Sequence, residues 1–216
     1  MSLLDTLKPE RTALLVIDMQ RDFLKAEGYA AQAGLDIAPL RAAIVPIGKV
    51  LAAARLAGIT IIHTREGHLP DLSDCPPYKL ERSRKAGAEI GSKGPLGRLL
   101  VRGEAGHDFV DELRPITGEI VIDKPGYSAF EHTTLQQVLT TRGIETLIIT
   151  GITTEVCVSS TLRSGADRGY RCITVGDACA SGDPALHNAA LAMIGVEGGI
   201  FGEVADVAAV ARRFAS

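Results

Sequence analysis

Six short, apolar, β-branched runs recur along the chain: TALLVID (12–18), TIIH (60–63), EIVID (119–123), TLIIT (146–150), CITV (172–175) and the weaker GGIF (198–201). Their apolarity is continuous rather than alternating. That is the pattern of strands covered on both faces, and hence of a parallel sheet. Helical patterns fill most of the gaps. Asp36 and Pro39 open an apolar-periodic stretch that reaches Ala57 and closes at Gly58, with Pro46 placed to kink or delay it. Thr133 caps a helix ending at Gly143, a second runs from about Glu155 to Gly169, Asp183-Pro184 opens a third, and Asp206 opens one at the C-terminus. Strands alternating with helices at this spacing predict a three-layer αβα sandwich around a six-stranded, mainly parallel sheet with right-handed crossovers.

A chain of 216 residues, 46% of them hydrophobic, matches one domain spanning 1–216. The irregular part is 64–118, rich in Gly, Pro and mixed charge, which reads as a lid or binding segment that shapes a substrate site. Lys and Arg number 23 against 26 acidic residues, leaving no basic excess for a phosphate backbone, so nucleic acid is not an expected partner. The uninterrupted apolar runs fall short of the roughly 20 residues of a membrane span, and no basic-then-apolar leader opens the chain; the expectation is a cytoplasmic protein. Cys75, Cys157, Cys172 and Cys179 form no CxxC pair, which fits reduced thiols, one of them reactive.

In an open parallel sheet, ligands bind beyond the carboxyl ends of the strands. Asp18 ends the first run, Lys124 follows the third in DKPG, and Cys157 lies in GITTEVC, where the fourth run meets its helix. All three are expected at one sheet edge. A helix N-terminus and a neighbouring lysine favour a thiolate, and a carboxylate can take the proton. Cys172, inside a strand, and Cys179, just after it, read as inert core thiols.

The strings ALLVIDMQRDF, DKPGYSAF and GITTEVCVSSTLRSGADRGY resemble the isochorismatase-like cysteine hydrolases over nearly the whole chain. Within that family EGYAAQAGLDI, IIHTREGHLPDL, IGSKGPLGRLLVRGEAGHD and VEGGIFGEV look most like the biuret and triuret hydrolase branch. The resemblance implies a catalytic Cys157–Asp18–Lys124 triad, a cis peptide at Ile152–Thr153, no cofactor, and a homo-oligomer, dimer or tetramer. It also implies a substrate pocket with Phe23, Tyr29, Tyr127, Ile152, Thr153 and Glu197. Related nicotinamidases bind zinc through an Asp-x-His pair and a second His; here Glu66-Gly67-His68 is followed by Leu72, an incomplete ligand set, so no metal is expected and His68 is read as a lid or pocket residue.

The chemistry implied is attack of Cys157 on a urea-type carbonyl, with Asp18 moving the proton, ammonia leaving, and water releasing the thioester. Glu197 stands where biuret hydrolases carry Gln. Because an ionised Glu only accepts hydrogen bonds, it points to a neutral, donor-rich ureide such as triuret. The alternative is a ureidoacrylate or N-carbamoyl-type amidase, whose anionic substrate needs an arginine, with Arg65 the candidate. A non-catalytic α/β small-ligand binding module is the reading from a different class, and it leaves Cys157 unexplained.

Overall fold

The computed structural model describes residues 2–215. Its strands are β1 (Thr12–Ile17), β2 (Thr60–Glu66), β3 (Lys93–Gly94), β4 (Gly97–Arg98), β5 (Ile120–Lys124), β6 (Thr146–Ile152), β7 (Arg171–Ala180) and β8 (Glu203–Ala205). Six of them form one all-parallel sheet in the order β5-β2-β1-β6-β7-β8, and β3 and β4 form a separate antiparallel pair. The helices are α1 (Arg21–Leu24), α2 (Tyr29–Gln32), α3 (Ile37–Ala42), α4 (Ile44–Leu56), α5 (Pro77–Lys85), α6 (Leu135–Thr141), α7 (Ser159–Asp167), α8 (Pro184–Ile194), α9 (Val196–Gly199) and α10 (Val207–Phe214).

All six residues of β1 are buried, and they alternate between two cores. Leu14 and Val16 pack with α4 and α10, whereas Ala13, Leu15 and Ile17 pack with α6 and α7. This is the three-layer sandwich that the doubly apolar strands imply. The helix starts follow the expected chemistry: the carboxylates of Asp36, Asp183 and Asp206 accept from Ala38 N at 2.9 Å, Ala185 N at 2.8 Å and Ala209 N at 2.6 Å. Thr133 Oγ1 likewise accepts from Leu135 N at 3.1 Å.

One local expectation is met and two are corrected. The stretch from Asp36 to Ala57 is two helices meeting at Ala43, because Pro46 has no N–H for the Ala42 carbonyl and its ring crowds that oxygen. Together α3 and α4 are long and apolar enough to span a membrane by length and composition, yet Ile44, Ile47, Val50, Leu51 and Ala54 of α4 are buried in the sheet core. The last strand is Glu203–Ala205 rather than GGIF: Gly198 and Gly199 have φ of 78° and 93°, left-handed values that do not extend a strand. Finally, the helix expected from Glu155 begins with a π-helical turn, Thr154–Val158, before α7.

The 64–118 segment is more ordered than its composition suggests. It contains the end of β2, α5 and the β3–β4 hairpin, and it closes a small apolar cluster of Tyr29, Ala88, Ile90, Leu99 and Leu100. Buried Asp22 ties this cluster to the sheet side, accepting from Leu100 N at 2.9 Å and Tyr29 N at 3.3 Å.

Candidate active site

The parallel register brings the C-terminal ends of four strands together. Glu66 of β2 is paired with Lys124 of β5, and Ile17 of β1 with Gly151 of β6. Gly151 has φ 117°, and a Cβ there would overlap the Ile17 backbone, so only glycine lets β6 lie this close. The chain then passes through a cis Ile152–Thr153 peptide into the turn that carries Cys157.

Asp18 follows β1 in a left-handed conformation with φ 53°. That conformation is tolerated best by Gly, Asn and Asp. Its Oδ1 accepts from Thr64 Oγ1 at 2.6 Å, and its Oδ2 lies 2.7 Å from Lys124 Nζ. Lys124 Nζ also donates to the Gly126 carbonyl at 3.0 Å and to Cys157 Sγ at 3.5 Å. Asp18 and Lys124 are both 0% exposed. Burial and the proximity of Glu66 push the Asp18 carboxyl up, against the opposing pull of Lys124. The Lys124 ammonium is also pushed up: burial works against the charge, but Asp18, Cys157 and Glu66 outweigh it and keep the ammonium protonated.

Cys157 departs from expectation in one respect. The helix start and Lys124 were expected to favour a thiolate, but burial dominates and raises the thiol well above its ordinary value. Burial therefore favours the neutral thiol at rest, and only a nearby carboxylate that takes its proton can make the sulfur a nucleophile. Cys172 and Cys179 are buried away from charge partners that would activate them, and desolvation pushes both up to about 12.

A second carboxylate, which the sequence offers only as part of an incomplete metal-ligand set, stands beside the sulfur. Glu66 Oε2 accepts from Cys157 Sγ at 3.3 Å, and Oε1 pairs with Lys79 Nζ of α5 at 2.6 Å. Gln20 fixes its backbone, accepting from Glu66 N at 2.7 Å and donating to Glu66 O at 2.9 Å. Burial raises the Glu66 carboxyl, but Lys124 and Lys79 together outweigh it and hold it down at about 2. Two carboxylates beside one sulfur are thus pushed in opposite directions, the arrangement that separates a proton carrier from a fixed charge.

A cavity of about 460 Å³ opens onto the sulfur. Phe23, Tyr29, Tyr127, Ile152 and Thr153 line it, together with Glu66, Arg82, Val156 and Cys157. The structure does not bring Glu197 there. Glu197 is exposed, with φ 52°, in the connection entering the N-terminal end of β8, whereas the cavity lies at the C-terminal ends of the strands. Nor does Arg65 reach it: its guanidinium pairs with Asp123 at 2.7 Å and lies over Phe109. His68 is buried outside the lining, its Nδ1 3.2 Å from Asp74 Oδ1. Arg82 of α5 is the arginine at the cavity, beside the phenols of Tyr29 and Tyr127.

The isochorismatase domain model matches residues 12–209. The chain belongs to the isochorismatase family. A ureidoacrylate amidohydrolase, RutB of Methylorubrum extorquens, is 39% identical over 204 residues, covering 93% of this chain and 81% of its own. Among solved structures, a cysteine hydrolase from Pseudomonas syringae pv. phaseolicola superposes with a TM-score of 0.82 at 30% identity, covering 97% of this chain and 94% of that one. An N-carbamoylsarcosine amidase from Thermoplasma acidophilum gives a TM-score of 0.68 at 26% identity, covering 91% and 96%. These relatives replace the biuret and triuret branch that the sequence motifs suggested: the family was legible, the branch was not.

Proposed function

We propose that the protein is a cysteine-dependent amidohydrolase that releases ammonia from the carbamoyl end of a small ureido acid, of the ureidoacrylate or N-carbamoyl type. The observation that carries this reading is a nucleophile, a proton carrier and a cation in mutual contact at the floor of a cavity whose wall holds Arg82. Amidohydrolase activity in the relatives supports the reaction class.

The reaction runs in two halves. Cys157 Sγ attacks the carbonyl carbon of R–NH–CO–NH2 while Asp18 takes the thiol proton. Collapse of the tetrahedral adduct breaks the bond to the terminal nitrogen, Asp18 returns the proton to it, and ammonia leaves a thiocarbamate, R–NH–CO–S–Cys157. Water, deprotonated by Asp18, then attacks the same carbon and expels the thiol, giving R–NH–COOH. Lys124 holds Asp18 in place and offsets negative charge in both halves. Backbone N–H groups of the Thr153–Cys157 turn hold the oxyanion.

Arg82 distinguishes a ureido acid from a neutral ureide. A guanidinium beside two phenols suits a carboxylate, and it lines the same cavity as Cys157. The preference for a neutral ureide such as triuret drew on Glu197, which lies exposed outside the cavity lining. The exposed Leu186 and Met193 of α8, Val196 of α9 and Ile200 just after it support a homo-oligomer through that region. Ammonia release from ureidoacrylate, an N-carbamoyl amino acid, biuret and triuret tests the reading. A ureido acid is expected to exceed both neutral ureides at least tenfold in kcat/KM; a preference for triuret or biuret overturns it.

A further inference from the structure

The triad leaves Glu66 without a task, although it is the carboxylate that faces the cavity. Asp18 sits behind the sulfur and is absent from the lining, whereas Glu66 is the sole acidic residue among the described lining residues. Its two oxygens are unequally engaged. Oε1 is held by Lys79 at 2.6 Å, whereas Oε2 accepts one hydrogen bond, from Cys157 Sγ at 3.3 Å, and lies 3.5 Å from Lys124 Nζ. A carboxylate oxygen accepts two hydrogen bonds, so Oε2 keeps acceptor capacity beside the sulfur, and gains more once the thiol proton has been transferred.

A ureido group at that place presents one acceptor and several donors. Its carbonyl oxygen belongs with backbone N–H groups, so its terminal NH2 needs an acceptor. The other lining side chains supply apolar surface, phenols, a hydroxyl and the Arg82 cation, none of which is an anionic acceptor. We propose that Glu66 Oε2 receives an N–H of the substrate's terminal NH2, making Glu66 the residue that selects a primary carbamoyl group, with Lys79 as the positioning residue that fixes the carboxylate. This rests on the ureido-acid reading above.

Lys79 is well suited to that role. It is a buried lysine on α5, its Nζ also donates to the Pro125 carbonyl at 2.6 Å, and it lies 5.1 Å from the centre of the Tyr127 ring. One side chain thus ties the 64–118 segment to the end of β5 and to Glu66. Because Glu66 stays ionised far below neutral pH, it accepts from substrate without competing with Asp18 for the thiol proton.

The test compares ureidoacrylate with its analogue methylated on the terminal nitrogen. The wild type is expected to prefer the unsubstituted substrate by about 100-fold or more in kcat/KM, since a site built around an N–H rejects the analogue that disturbs it. Glu66→Gln should lower kcat/KM for ureidoacrylate by about 100-fold and shrink that preference below about tenfold. Lys79→Met should reduce activity and move the acid limb of the kcat/KM profile to higher pH, and Lys79→Arg should restore its position. Retention of the full preference in Glu66→Gln, with ureidoacrylate still turned over, overturns the proposal and leaves the ureido-acid reading intact. Wild-type enzyme inactive on both ureidoacrylate and an N-carbamoyl amino acid overturns both. Should Glu66→Gln also abolish thiol alkylation of Cys157 by iodoacetamide, Glu66 is the proton acceptor and the assignment is wrong.

Discussion

Lys124 Nζ lies 2.7 Å from Asp18 Oδ2, and neither side chain is exposed to solvent. A buried pair of this kind contributes little net stability, but losing one member strands the other. Lys124→Met is therefore expected to destabilise the fold by about 3–5 kcal/mol as well as abolish turnover. Asp18→Asn keeps the shape but removes the base and leaves the buried Lys124 charge with Glu66 at 3.5 Å as its remaining carboxylate, so it should lose some stability and at least about 1000-fold in kcat. If the triad acts as a unit, the double variant is little worse than either single one. Losses that multiply would show independent roles.

Arg82 should act on substrate choice rather than chemistry. It lies at the exposed rim of the cavity, so Arg82→Met is expected to cost about 10–30-fold in kcat/KM for ureidoacrylate, mostly through KM, and to leave its neutral primary amide unaffected. Equal losses on both substrates would place Arg82 in the fold instead of in recognition.

Thiol reactivity gives a third expectation. Cys172 and Cys179 are buried and strongly resistant to ionisation, so neither should alkylate in the native enzyme. In a Cys75→Ser background, loss of ammonia release should follow incorporation of one iodoacetamide at Cys157. Inactivation with label on Cys172 or Cys179 would contradict this.

The pH dependence of stability has a defined sign at His107. Burial, reinforced by Arg65 and Arg102 against Asp123 and Asp108, holds its imidazole down at about 4. The unfolded chain takes the proton near the ordinary value of about 6.5, so this contribution is complete above that pH and is lost as pH falls through the folded value. The span amounts to about 3 kcal/mol. Asp22, raised to about 6 by burial, has the opposite slope, so the wild-type curve mixes the two. The readout is the difference in denaturation midpoint between wild type and His107→Gln, which should shrink from pH 7 to pH 4. A constant difference would mean that His107 is not buried neutral.

Much of this was legible in the sequence because strand runs and strand-end residues obey local rules. Asp18, Lys124 and Cys157 could be placed at one edge by topology alone, since every strand of the large sheet is parallel. Glu66 and Arg82 could not be read the same way. Glu66 ends β2, but its strand was read only as far as His63, so a strand-end carboxylate looked like part of a loop. Arg82 depends on how α5 docks, and the polar, Pro-flanked composition of that stretch carries no periodicity that reveals a helix facing the cavity. Glu197 failed for the converse reason: a glycine pair with left-handed φ moved the last strand five residues along and left the carboxylate in solvent.

The central claim is that Cys157 carries the reaction covalently. The most direct measurement is ammonia release from ureidoacrylate by Cys157→Ala, with its circular dichroism matched to the wild type. The account predicts a loss of at least about 10,000-fold in kcat; a rate within tenfold of the wild type would contradict it.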